Sequence, residues 1–415
     1  MGNFPKKEET RLKAVAVVCE YNPMHKGHVR HLAEARRRSG CEKTLLVMSG
    51  SVCQRGEFSL LDKFARTEIA LAHGADLVLE LPAPFSSSAA DDFAFYALKM
   101  IAALPFVTHL CFGSGCGDLE TLQKARKWLD REDFGEELSE ELERGAAFAS
   151  AFASAAKKTL SAQGLERVLS DSNDLLALSY LKAANALRTD LIPLAVPRKG
   201  AYNCETLPET ADESASELSA TAVRALVQSL GNCGRETFLK ALLPYVPEET
   251  ARALEIGRSH PFCEAKYYAM LQAKLLGESE AELRRIADMK EGLEKRLKKY
   301  CASPDFPSYL RAVMTRRYSP ARIRRTLLRV LLGISQDLID RAKSAPPLLR
   351  VLGVRRGAES LLGTFDGLIS PAQSAGLPPV CAEISEKEIL ASNLRAILTD
   401  PAGFNLDYTR GLIKV

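Results

Sequence analysis

Two histidines separated by a lysine and a glycine, His25-Lys26-Gly27-His28, stand just after a short apolar run and open a stretch of helical periodicity. Imidazole N–H groups at that spacing can donate to the negative charge that builds on a phosphorus when a nucleophile attacks it. Gly27 lets the backbone approach an anion with no Cβ in the way, and the N–H groups at a helix start point at the same anion. The chemistry this favours is nucleotidyl transfer. Zinc binding is the other chemistry the residue types allow, because His31 lies one helical turn past His28. No cysteine pair stands nearby at ligand spacing, and Gly27 has a better use beside a phosphate, so no metal site is assigned.

Such histidines need a strand that ends beneath them and a helix that begins at them. Ala14–Cys19 is a valine-rich run without charge, suited to a strand buried on both faces of a parallel sheet. After the break at Glu20-Tyr21-Asn22-Pro23, Val29, Leu32 and Ala33 follow at helical spacing while Arg30, Glu34 and Arg37 face water. Further strands are predicted at Thr44–Met48, Asp76–Leu81 and His109–Phe112, with Leu191–Val196 as the last. Helices are predicted at Phe64–Ala72, Ala89–Ala103 and Leu175–Leu187, the last capped from Ser172-Asn173-Asp174. Alternating strands and helices of this kind make an α/β fold, a doubly wound parallel sheet with its site at the strands' C-terminal ends. That placement brings four groups toward the histidines: Gln54-Arg55-Gly56, Asp62-Lys63, the loop Gly113-Ser114-Gly115-Cys116-Gly117, and Arg198 with Gly200 just past the last strand. Ser219 is placed to cap a helix whose first turn carries Thr221 and Arg224, a second arrangement of hydroxyl, N–H and cation suited to phosphate.

From Gly231 onward the pattern is helical, with predicted helices at Arg235–Leu242, Phe262–Leu276, Glu280–Lys299 and Pro320–Leu332. Six arginines (Arg316, Arg317, Arg322, Arg324, Arg325, Arg329) and no acid lie between Thr315 and Val330, with Tyr318 among them as a stacking surface. A cationic face without compensating acids is suited to a phosphate backbone. The chain therefore divides into a doubly wound unit suited to nucleotidyl transfer at 12–230, a helical unit at 231–345 and a C-terminal extension at 346–415 punctuated by proline and glycine. The 415 residues are 46% hydrophobic and 26% charged, with a net charge of +4, ordinary for a soluble globular protein. No apolar run reaches the roughly 20 residues of a membrane helix. The charged N-terminus lacks the apolar core of a signal peptide, and the ten cysteines form no CxxC pair. A reducing, cytoplasmic location is expected.

The stretches VVCEYNPMHKGHVRHLAEAR, VMSGSVCQRGEFSLLDKFARTEIALAHGADLVLELP, CFGSG, SNDLLALSYLKA, PRKGAY, SATAVRAL, IADMKEGLEKRL and MTRRYSPARIRRTLLRVLLG together resemble the tRNA(Met) cytidine acetate ligase family, within the nucleotidyltransferase superfamily. The resemblance covers most of residues 12–335. It implies an enzyme that activates acetate with ATP, accompanied by Mg²⁺, to acetyl-adenylate, then acetylates N4 of the wobble cytidine of elongator tRNA(Met). It places ATP along Val18, Cys19, Glu20, Tyr21, Asn22, Pro23, Met24, His25, Lys26, Gly27, His28, Val29, Arg30 and His31, completed by Gly113, Asn173 and Arg198. His25 and His28 take the catalytic role, Ser219, Thr221 and Arg224 match a phosphate-contacting Ser-x-Thr-x-x-Arg, and Arg316, Arg317, Arg322, Arg324 and Arg325 are assigned to tRNA. The chain departs from the family's pattern at Gly115, where glutamate is usual, and at Ser172-Asn173-Asp174, where Pro-Asn-Asn is usual. It also has a slightly shorter loop between Arg198 and Tyr202, and Lys26 in place of a common asparagine. Two other readings share these motifs: a small-molecule adenylyl- or cytidylyltransferase of cofactor synthesis, and an RNA-binding protein with a decayed site.

Overall fold

The computed structural model describes residues 12–146, 148–160, 165–198, 218–315, 318–374 and 376–415. Arg316, Arg317 and Gly200 lie outside the described residues. The uncharged run does form a buried strand, β1 (Ala14–Cys19), and its alternation divides the core. Ala14 and Ala16 face one apolar layer, while Val15, Val17 and Cys19 face the other. Leu45 and Val47 against Leu46 and Met48 repeat the division on β2 (Lys43–Ser49). Residues of period two with both faces apolar are what a sheet covered on both sides requires.

Beyond β2 come a short hairpin, β3 (Val52–Cys53) and β4 (Glu57–Phe58), then β5 (Leu77–Leu81), β6 (Val107–Ser114), β7 (Ile192–Pro197), β8 (Val351–Val354) and β9 (Ile413–Lys414). Seven of these strands form one sheet in the order β7-β6-β1-β2-β5-β8-β9, parallel throughout except where β8 runs antiparallel to β5. Leu191–Val196 is thus not the last strand. The extension beyond 346 supplies two more, and Val351-Leu352-Gly353-Val354 was too short to stand out among prolines and glycines. Chain order runs from β1 to β2 and β5 on one side, then returns to place β6 on the other. The C-terminal ends of β1 and β6 therefore flank a topological switch point, where α/β sheets bind ligands.

The helices that bear on the site are α1 (Lys26–Ser39), α2 (Lys63–Ala72), α3 (Ala90–Ala102), α4 (Ser172–Leu187), α5 (Ala220–Leu230), α6 (Pro320–Leu332) and α7 (Pro379–Leu398). One expected helix is broken. Glu280–Lys299 forms only Glu280–Leu283 and Leu293–Lys299, because Asp288, Glu291 and Gly292 adopt left-handed φ values of 65°, 61° and 77°. The intervening turn faces α6.

Asp62 and Lys63, expected near the site, serve the fold instead. Asp62 caps α2 by accepting from the N–H groups of Phe64 and Ala65. Lys63 is fully buried, its ammonium 2.5 Å from Glu80, 2.6 Å from Asp407 and 3.2 Å from Glu388. Arg350 joins the same cluster, 2.9 Å from Glu80 and paired with Asp407. Burial pushes the Glu388 carboxyl up, and the Lys63 charge opposes it. Glu388, on α7, also accepts from the backbone N–H groups of Ser51 (2.8 Å) and Ala83 (2.7 Å). The C-terminal segment therefore holds the loops that follow β2 and β5. Gly50 is required there, since a Cβ would lie 2.3 Å from a Glu388 oxygen.

Candidate active site

At the switch point lies a cavity of about 580 Å³. β1 delivers the chain to it at Cys19, and Glu20-Tyr21-Asn22-Pro23 turns into α1. Arg66 holds this turn from beneath: its buried guanidinium donates to the carbonyls of Glu20 (2.7 Å) and Ser49 (2.9 Å), and to that of Gly50. One side chain thus ties the ends of β1 and β2 together. Asn22 accepts from Leu60 N–H at 2.7 Å, and its carbonyl accepts from Arg224 at 2.8 Å. The turn is fixed on two further sides.

His25 is the residue before the first turn of α1. Its ring stacks on that of His28, centroids 3.6 Å apart and planes 24° from parallel. The backbone N–H of His25 donates to Nδ1 of His28 at 3.3 Å, which leaves the His28 proton on Nε2. His25 itself is only 4% exposed, and among the described residues no side chain bonds to either of its ring nitrogens; only the His28 backbone N–H faces the ring, in a capping-box arrangement. A buried polar atom left unpaired costs about 1–3 kcal/mol, so the ring is held in a state that an incoming acceptor would relieve. Burial, helped by the charges of Arg198 and Arg30, holds the His25 pKa down to about 3. His28 is lowered by burial and by His25, and His31 falls to about 4 by burial and Arg198. At neutral pH these rings are neutral N–H donors.

The opposite wall is the glycine-rich loop after β6. Asp174, fully buried, accepts from the N–H groups of Gly115 (2.8 Å) and Cys116 (3.0 Å) and from the Ser114 hydroxyl. Arg198 donates from Nη1 to Asn173 Oδ1 at 2.6 Å, and its aliphatic carbons would lie 3.5 Å from a Cβ on Gly113. The cap of α4 is Asp171 rather than Ser172-Asn173-Asp174, accepting from Asn173 N–H (2.8 Å) and Asp174 N–H (3.1 Å). This explains Gly115: a Cβ there would meet the Asp171 carboxyl carbon at 2.6 Å. Gly115 and the cap of α4 are thus packed directly against each other. The third wall is the start of α5, where Ser219 accepts from Ala222 N–H at 3.2 Å as its cap.

Of the residues read from the sequence, Val18 to Asn22, His25, Gly27, His28, Arg30, His31, Gly113, Asn173, Arg198, Ser219 and Arg224 line the cavity. Pro23, Met24, Lys26, Val29 and Thr221 do not. Met24 is buried in the core, and Lys26 is exposed with its N–H donating to Tyr245 O at 2.9 Å. Thr221 lies behind the wall, its hydroxyl bonded to Arg224.

The HIGH Nucleotidyl Transferase family profile matches residues 12–370. A tRNA(Met) cytidine acetate ligase of Acetivibrio thermocellus is 31% identical over 399 residues, covering 92% of this chain and 94% of its own. One from Clostridium perfringens is 30% identical over 96% of this chain and 98% of its own. The chain belongs to the tRNA(Met) cytidine acetate ligase family. In structure it is similar to Thermotoga maritima TmcAL bound with alpha-thio ATP, at a TM-score of 0.83 and 26% identity, with 97% of this chain and 100% of that one covered.

Two residues of this family member escaped the sequence reading as parts of the site. Arg66 falls with Lys63 and Ala70 on the buried face of α2, so a charged residue at apolar-face spacing was the available signal. Asp174 is not the helix cap that its place before an apolar run suggests but the anchor of the facing loop. The arginines of α6 stand away from the cavity, and the structure alters how they look. Arg329 is buried and pairs with Asp288 and with the Ser88 hydroxyl (2.7 Å). Arg322 is 3.4 Å from Glu291, and Arg324 lies over the Phe306 ring at 5.7 Å. The acids missing from the helix itself thus come from the left-handed turn at 288–292. Tyr318 is no stacking surface: it is buried, and its hydroxyl donates to the Glu291 carbonyl at 2.7 Å. Among the described residues no helix is long and apolar enough to cross a membrane.

Proposed function

We propose that the protein activates acetate with ATP to acetyl-adenylate and transfers the acetyl group to N4 of the wobble cytidine of elongator tRNA(Met). The observation that carries this reading is the pair of His25 and His28, stacked at the start of α1 with the His25 ring buried and without a side-chain partner among the described residues, beside a cavity at the switch point. In the first step an acetate oxygen bonds to the α-phosphorus, and the bond from that phosphorus to the bridging oxygen breaks, with pyrophosphate taking the electron pair. His25 and His28 donate N–H to the α-phosphate oxygens as charge accumulates. Being neutral, they do so without giving up a proton. Arg224 and the start of α5 face the departing phosphates. In the second step the cytidine N4 attacks the acetyl carbonyl, AMP leaves with the pair, and N4 loses a proton.

Mg²⁺, held mainly by triphosphate oxygens and its own waters, would supply charge neutralisation there and needs no cage of protein ligands. Among the described residues no group of three or more histidine, cysteine or acidic side chains is arranged as such a cage. Arg322, Arg324 and Arg325, half-buried on α6, together with Arg316 and Arg317, are assigned to the tRNA backbone. The reading is supported by the family and by the T. maritima neighbour that binds an ATP analogue. The test is incubation with ATP, acetate and an elongator tRNA(Met) transcript, followed by nucleoside mass spectrometry. N4-acetylcytidine that depends on both ATP and acetate is the expected product; its absence with folded protein overturns the reading.

A further inference from the structure

The hairpin β3–β4 places Arg55 at its tip, and nothing in the family's motif of Ser219, Thr221 and Arg224 accounts for it. Arg55 is exposed on the cavity wall, and its Nη1 lies 3.4 Å from the hydroxyl oxygen of Thr221. The same oxygen accepts from Arg224 Nη2 at 3.3 Å. Two guanidinium groups converge on one neutral acceptor, and neither has a carboxylate within ion-pair distance among the described residues. Like charges held together without an acid between them are repulsive, and the repulsion is relieved by an anion. The acceptors of the two guanidinium groups, the Thr221 hydroxyl and the Asn22 carbonyl that takes Arg224 Nη1 at 2.8 Å, are both neutral, so neither cation is balanced by an anion within ion-pair distance among the described residues.

The hairpin is rigid enough to present Arg55 in one place. Gln54 N–H donates to the half-buried Glu20 carboxyl at 2.6 Å, Ser59 N–H donates to Ser51 O at 3.0 Å, and Gly56 packs on the backbone of α6. A Cβ on Gly56, at φ 77°, would lie 2.4 Å from Arg325 N. The same cavity holds the buried ring of His25, at the position assigned to the α-phosphate. We propose that Arg55 binds the β- and γ-phosphates of the nucleotide together with Arg224, and holds the pyrophosphate as it leaves. This rests on the reading of the cavity as an ATP site.

The experiment is calorimetric binding of ATP and of AMP to the full chain, to Arg55→Ala and to Arg55→Lys. AMP lacks the phosphates in question, so it reports whether the rest of the site is intact. Arg55→Ala is expected to weaken ATP by about 10- to 100-fold, the range for a lost charge-assisted contact, and to leave AMP within about twofold. Arg55→Lys is expected to recover part of the loss, keeping the charge without the planar fork. Unchanged ATP affinity in Arg55→Ala, or equal losses for ATP and AMP, would overturn the assignment. If the unaltered protein binds neither nucleotide, the ATP reading fails and this inference fails with it.

Discussion

Acidification is a direct probe of how His25 is held. In an unfolded chain its imidazole takes up a proton near 6.5, whereas in the folded protein burial keeps it neutral down to about 3. The unfolded state therefore binds more protons throughout that interval. The stability this group contributes is complete above pH 6.5 and is lost as the pH falls from there toward 3. At pH 5 the deficit has run for about 1.5 pH units, and at about 1.4 kcal/mol per unit it amounts to about 2 kcal/mol. His28 and His31 act in the same direction but stand half-open to the cavity, so water reduces their share. The perturbation is His25→Gln, which keeps a polar side chain that does not titrate. Chemical denaturation of both proteins at pH 7.5 and pH 5 should show the unaltered protein losing about 2 kcal/mol more than the variant. Equal losses, or a His25 ring that titrates near 6.5 by NMR, would refute the claim that it is a buried neutral donor.

Three further outcomes follow from the same geometry. Asp174→Ala removes the acceptor for two backbone N–H groups and the Ser114 hydroxyl, so the wall at Gly113–Gly117 should loosen and the KM for ATP rise more than kcat falls; an unchanged KM in folded protein would show the loop is held by other means. Lys63→Met leaves Glu80, Glu388 and Asp407 buried with only Arg350 to balance them, and denaturation should report a loss of about 3–5 kcal/mol; a loss below about 1 kcal/mol would refute the network's role. Changing Arg322, Arg324 and Arg325 to Ala should make the logarithmic salt dependence of tRNA binding shallower by about one unit per lost phosphate contact while acetate activation persists; an unchanged slope would remove α6 from the tRNA surface.

The parts of this molecule that were legible in the sequence are those set by neighbours along the chain. Ala14–Cys19 announced a buried strand by composition, His25 to His28 lay where the period changes from two to 3.6, and Ser219 declared a helix start. Pro320–Leu332 was bounded correctly by its proline and by Gly333, which takes the left-handed φ of 62° that ends the helix. What was hidden depends on partners far away in sequence. Lys63 and Glu388 are 325 residues apart, and a lysine after an aspartate reads as a solvated loop until the C-terminal helix is laid across it. The turn at 288–292 is invisible to helical periodicity because Leu283, Leu293 and Leu297 keep an apolar rhythm on both sides of it. Gly115 looked like a defect in a motif, and only the Asp171 carboxylate packed against it shows why no side chain stands there.

The central claim is that the cavity beside His25 and His28 makes an acyl-adenylate before any tRNA arrives. Exchange of labelled pyrophosphate into ATP, in the presence of acetate and with tRNA left out, measures that step alone. The account predicts exchange that requires acetate, falls on the order of 100-fold in His25→Ala and His28→Ala, and persists when the α6 arginines are removed. Exchange that is absent, or independent of acetate, or undiminished in both histidine variants, would contradict it.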